Sequence, residues 1–127
     1  MNKRIDSFKN AFRGIRMVFR SEKNMQIHLI FVILVLFFGV IFVLSAVEWM
    51  ICLLCFGLVI GAEMMNTAIE TLVDLVSPQK QKLAGKAKDV AAGAVLVSAI
   101  AAAVTGLIIF VPKAWNMLKV IVSYFLD

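Results

Sequence analysis

The fold of this chain turns on one stretch, WMICLLCFGLVIGAEMMNTAIETLVD, Trp49–Asp74. Trp49–Ala62 carries no charge, whereas Glu63–Asp74 holds Glu63, Asn66, Glu70 and Asp74 among residues that otherwise belong in lipid. At about 100° per residue these four polar groups fall within an arc of roughly 80° on a helix, so they form one stripe. Rising ~1.5 Å per residue from a boundary set at Trp49, Glu63 lies about 21 Å in, still within a hydrocarbon core of ~30 Å. Glu70 then lies near the inner boundary and Asp74 beyond it. The stripe runs from lipid into water.

The rest of the chain fits that reading. It has 127 residues, 62% hydrophobic and 17% charged, with mean hydropathy +0.96. A soluble domain this short could not bury so much apolar surface, which makes a bilayer the solvent for much of it. At this length the chain reads as a single membrane-embedded domain, 1–127. Leu29–Val47 and Val90–Val111 are two more runs without a charge, each long enough to cross a membrane. The expected architecture is all-α and integral to the membrane, with transmembrane helices at 26–47, 49–76 and 89–111 and an extracytoplasmic tail at 112–127, the third span ending before Pro112. The first apolar run starts too late and is too long for a cleavable signal peptide.

Ahead of the spans, Ile5, Phe8, Phe12, Ile15 and Phe19 recur every three or four residues beside a basic stripe of Lys9, Arg13, Arg16 and Arg20. This predicts an amphipathic interfacial helix over 1–21 lying against anionic lipid. The net charge of +5 therefore points to a membrane surface and not to nucleic acid. Basic residues gather in the N-terminal block and in the 77–88 loop, with Lys80, Lys82, Lys86 and Lys88, while the turn between the first two spans has none. That bias puts the N-terminus in the cytoplasm and the C-terminus outside. Gly57 and Gly61 form a GxxxG, and small residues crowd the third span, faces that let helices meet closely in lipid and that suggest a homo-oligomer. Cys52 and Cys55, three residues apart within a span, read as buried thiols.

A carboxyl at the depth of Glu63 costs a few kcal/mol and is a functional candidate by default. No Lys or Arg lies within the spans to neutralise it, so it is either held protonated or met by a metal and donor groups. Glu22 stands at the head of the first span, and Lys88–Asp89 opens the third. Glu22 and Glu70 at one interface suit Mg²⁺, which takes one or two carboxylates and completes its shell with phosphate and water. Lys88 can neutralise phosphates, and Glu63 can accept the proton of an alcohol whose tail lies in the bilayer. These parts describe phosphoryl transfer from a nucleotide to a lipid alcohol as one candidate. No P-loop or protein-kinase motif is present. The single histidine, His28, reads as a hydrogen-bonded interface residue before it reads as a metal ligand. Asp74, near the loop lysines, is as well explained by pairing as by chemistry.

The motif E-x-x-N-[ST]-A-I-E-x-x-V-D (Glu63–Asp74), followed by A-K-D-x-A-A-G-A-V (Ala87–Val95), resembles the prokaryotic diacylglycerol kinase family. The opening FKNAFRGIRMVFRSEKNMQIHL resembles its Gram-positive branch, whose members are undecaprenol kinases. The resemblance implies a homotrimer in a bacterial cytoplasmic membrane, with active sites shared between subunits and ATP with Mg²⁺ as phosphoryl donor. It implies Glu63 as the catalytic base with Asn66 beside it, Glu22 and Glu70 as metal and nucleotide ligands, Lys88 and Asp89 as nucleotide contacts, and a phosphate cover at 79–82. The chain departs from the diacylglycerol-specific relatives at His28, where they carry a Glu, at Asn10, where they carry a Tyr, and in the tail from Pro112. Undecaprenol is the expected acceptor and diacylglycerol the alternative. A rival of another class, a proton- or ion-conducting proteolipid, accounts for Glu63 but requires neither Glu22, nor Lys88–Asp89, nor a stripe reaching water. A purely structural or holin-like component leaves Glu63 unexplained.

Overall fold

A computed structural model describes residues 2–127. It is all-helical, with α1 Lys3–Ser21, α2 Lys23–Ile41, α3 Ala46–Val76 and α4 Lys82–Leu126. The last three are long and apolar enough to cross a membrane.

Each boundary has a local cause. Asn2 caps α1, its side chain accepting from the Arg4 amide at 3.2 Å. Glu22 takes an extended conformation (φ −97°, ψ 119°) and both ends α1 and starts α2. Ser45 and Glu48 close a capping box on α3: Ser45 Oγ accepts from the Glu48 amide at 3.2 Å, and Glu48 Oε1 accepts from the Ser45 amide at 3.1 Å. Such reciprocal bonds satisfy amide groups that the first turn leaves without partners.

The first span is shorter than the apolar run suggests. The sequence places it at 26–47, but α2 stops at Ile41 and the chain reverses over Phe42–Ser45. This turn contains neither Gly nor Pro, and Val43 adopts the left-handed region at φ 53°. Hydrophobicity carries straight through it, so the break has no compositional mark.

α3 and α4 run antiparallel and form the main helix pair. Two ion pairs bracket them. Lys88 meets Asp74 at the end near α1, and Lys113 Nζ lies 3.1 Å from Glu48 Oε1 at the far end. On α3 these anchors are about 39 Å apart and on α4 about 38 Å, at ~1.5 Å per residue, so the two helices keep one register across the membrane's thickness. Small residues on α4 allow the approach: Ala91 and Ser98 are buried with Val95 on one face. At the far end Leu44, Cys52 and Ile109 form a buried cluster flanked by Trp49 and Phe110. Gly39 is buried under the Trp49 indole, and a Cβ there would come within 2.4 Å of the ring.

A Cβ at Gly57 or Gly61 would meet open space, and the two glycines lie on the side of α3 opposite Cys52, Val59, Glu63 and Asn66, its buried face. One more expectation needs correction: the helix does not end at Pro112. α4 continues through it to Leu126, because a proline interrupts only one backbone bond, to the Ile108 carbonyl, while apolar residues resume beyond it.

Candidate active site

The polar stripe of α3 sits on its packed face. Glu63 is 1% exposed and Asn66 6%, in helical register with Cys52 and Val59, which are also buried. The burial follows from spacing: residues 52, 59, 63 and 66 recur at intervals of three, four and seven and so share one side of the helix. Asn66 Nδ2 donates to Glu70 Oε1 at 3.4 Å. The deep and shallow members of the stripe are therefore physically linked one turn apart.

Glu63 has a partner that its own helix does not supply. His28 Nε2 on α2 lies 3.7 Å from Glu63 Oε2, and both atoms are buried without a hydrogen-bond partner. His28 is thus the one basic residue within reach of Glu63 among those described, where the spans hold no Lys or Arg. The signal was present in the spacing of Met25, His28, Val32, Val35 and Gly39, which are buried or half-buried on α2. Because α2 is apolar all round, that face does not stand out from the sequence.

Glu22 occupies the α1–α2 junction, half-buried, with Oε1 accepting from Ser21 Oγ at 3.3 Å. Among the described residues no three His, Cys, Asp or Glu side chains gather into a complete metal cage. Glu22 and Glu70 are each engaged through one oxygen, and carboxylate oxygen is the donor type that hard divalent cations take.

The loop-side residues divide. Lys88 is half-buried and holds Asp74, which accounts for Asp74 as a pairing residue. Asp89 is exposed and, at 100° per residue, stands about 160° around α4 from the buried Ala91. A single chain thus brings Glu63, Asn66, Glu70, Glu22 and His28 to one end and leaves Asp89 facing outward.

Below this cluster a cavity of about 580 Å³ lies between α2, α3 and α4, running from His28 and Ile60 to Cys52 and Phe110 with an almost wholly apolar lining. Cys52 and Cys55 both line it and are free thiols. The acidic end thus adjoins an apolar chamber through His28, which lines the chamber and faces Glu63.

Comparison with known proteins gives this arrangement a context. The sequence pattern of the family described as prokaryotic diacylglycerol kinase matches residues 9–110. Undecaprenol kinase of Bacillus subtilis is 44% identical over 113 residues, covering 89% of this chain and 92% of that protein. Diacylglycerol kinase of Synechocystis is 35% identical over 88% of this chain and 65% of its own length. Diacylglycerol kinase of Escherichia coli K12 is 27% identical over 75% of this chain and 78% of its own.

Proposed function

This chain belongs to the prokaryotic diacylglycerol kinase family, and we propose that its reaction is ATP-dependent phosphorylation of undecaprenol. It is a lipid kinase of a bacterial membrane. Undecaprenol is favoured over diacylglycerol because the undecaprenol kinase of Bacillus subtilis matches at 44% identity over nearly its whole length, against 35% and 27% for the diacylglycerol kinases of Synechocystis and Escherichia coli.

The observation that carries the mechanism is a carboxylate buried to 1% exposure that lies 3.7 Å from His28, a residue lining an apolar cavity, and on the same stripe as Glu70. In this reading the hydrocarbon tail of the alcohol occupies the cavity and its hydroxyl meets Glu63. Glu63 takes the hydroxyl proton as the oxygen attacks the γ-phosphorus; the bond to the β–γ bridging oxygen breaks, and ADP leaves. Asn66 orients Glu70. Glu22 and Glu70 would hold Mg²⁺, which neutralises charge on the transferring phosphoryl group. Lys88, released from Asp74, and the exposed Asp89 contact the nucleotide.

The same reading puts α1 on the inner membrane surface, where its exposed Ile5, Phe8 and Phe12 enter lipid, with the N-terminus cytoplasmic and the C-terminus outside. It makes the protein a homotrimer with active sites completed between subunits. Two features support this: Gly57 and Gly61 are open on the outer face of α3, and Asp89 points away from its own chain's Glu63.

The test is phosphate transfer from γ-labelled ATP by purified protein in micelles containing Mg²⁺, with undecaprenol and diacylglycerol in parallel. Labelled undecaprenyl phosphate is the expected product. Labelled phosphatidic acid alone would move the acceptor to diacylglycerol. Labelling of neither would return the buried carboxylate to the ion-conducting alternative.

A further inference from the structure

The mechanism above leaves one buried group unused. His28 Nε2 and Glu63 Oε2 face each other across the α2–α3 interface at 3.7 Å, and each lacks any other partner. Two solitary buried polar atoms directed at one another are costly unless they bond. The 3.7 Å separation is only slightly beyond hydrogen-bond range, and contacts to a catalytic base shorten in the substrate complex. We propose that His28 is the positioning residue for Glu63, donating an Nε2–H hydrogen bond to Oε2 and so leaving Oε1 as the oxygen that receives the lipid hydroxyl.

The placement of His28 supports this role. It lies on the buried face of α2, three residues from Met25, which is fully buried, so packing fixes the ring's approach. Its own side chain is 17% exposed, against 2% for Glu63. It also lines the apolar cavity. The donor therefore stands where a hydrocarbon-tailed alcohol would present its head, and it comes from a different helix than the base it orients. A carboxylate on a flexible side chain gains most from such a second partner, because its two oxygens must be told apart. The proposal rests on the lipid-kinase reading for its catalytic part, but the contact itself does not.

The chain contains one histidine, so ¹⁵N-histidine labelling reports His28 without assignment. The expected spectrum in micelles shows a proton on Nε2, and Glu63→Gln should shift that nitrogen signal. An unchanged signal overturns the contact. In kinetics, His28→Leu should lower kcat by about 30-fold or more with the KM for Mg–ATP within twofold, and His28→Gln, whose amide can donate from a similar position, should restore a large part of the loss. Loss confined to KM for the nucleotide, equal loss in Gln and Leu, or wild-type kcat in His28→Leu would each overturn the positioning role. A wild-type protein that phosphorylates no lipid alcohol would overturn the kinase reading and the catalytic role of His28 with it, while the nitrogen signal would still decide whether the pair exists.

Discussion

The Asn66 amide donates to Glu70 Oε1 at 3.4 Å, one turn along the same helix, tying a nearly inaccessible residue to a half-buried one nearer the helix end. If Glu70 is a metal ligand, Asn66 fixes which oxygen it offers. Groups that orient metal ligands are typically worth 10–100-fold in metal affinity. Asn66→Ala should therefore weaken Mg–ATP binding by about that factor, measured as the Mg²⁺ dependence of KM for ATP. An unchanged Mg²⁺ dependence would remove Asn66 from the site.

Lys88 is held by Asp74 in the isolated chain, with side-chain exposures of 39% and 65%. An ion pair so open to solvent contributes at most about 1 kcal/mol, so a nucleotide phosphate can displace Asp74 at little cost. Asp74→Asn should leave stability nearly unchanged and lower the KM for ATP a few-fold by freeing Lys88. Lys88→Met should raise it about tenfold, with a weaker dependence on salt. A higher KM in Asp74→Asn would mean that the pair itself serves the site.

The cavity between α2, α3 and α4 offers a third test. Ala102 lines it and is half-buried. Ala102→Phe should fill part of the space and raise the KM for undecaprenol several-fold while leaving that for ATP alone. Equal kinetics for both substrates would show that the lipid tail lies elsewhere.

Much of this was legible in the residues. The polar stripe could be drawn from spacing alone, since helical periodicity needs no tertiary information, and burial of Glu63 and Asn66 follows from it. The Glu63–His28 contact was not legible, because it depends on the register between two helices. On α2 the packed face is as hydrophobic as the lipid face. The turn at Phe42–Ser45 was hidden for a related reason: Val43 and Leu44 continue the apolar run where Gly or Asn would have marked it. Pro112 misled in the opposite direction, as a residue that often ends a helix but here costs it only one bond. The GxxxG of α3 marks a face that packs against nothing within the chain, because the opposite side of the helix meets α2 and α4.

Val43 also supports a stability prediction. It holds φ 53°, a conformation that costs a β-branched residue on the order of 1–3 kcal/mol, and it is 81% exposed, so little packing is lost on replacement. Val43→Gly should relieve the strain and, after the entropic cost of glycine, stabilise the protein by about 1 kcal/mol. A rise in the midpoint of thermal unfolding in micelles would bear this out, and a fall would place the Val43 side chain in a contact with lipid or a second subunit.

The proposed mechanism divides labour along one helix, with Glu63 serving the lipid hydroxyl and Glu70 serving the nucleotide. The most direct test compares Glu63→Gln and Glu70→Ala for turnover and for Mg–ATP binding measured separately by titration. Glu63→Gln should lose turnover by about 10²–10⁴-fold, the range for removal of a general base, while binding Mg–ATP as the wild type does. Glu70→Ala should lose both. Equal loss of nucleotide binding in the two variants would contradict the division and make the stripe a single metal-binding unit.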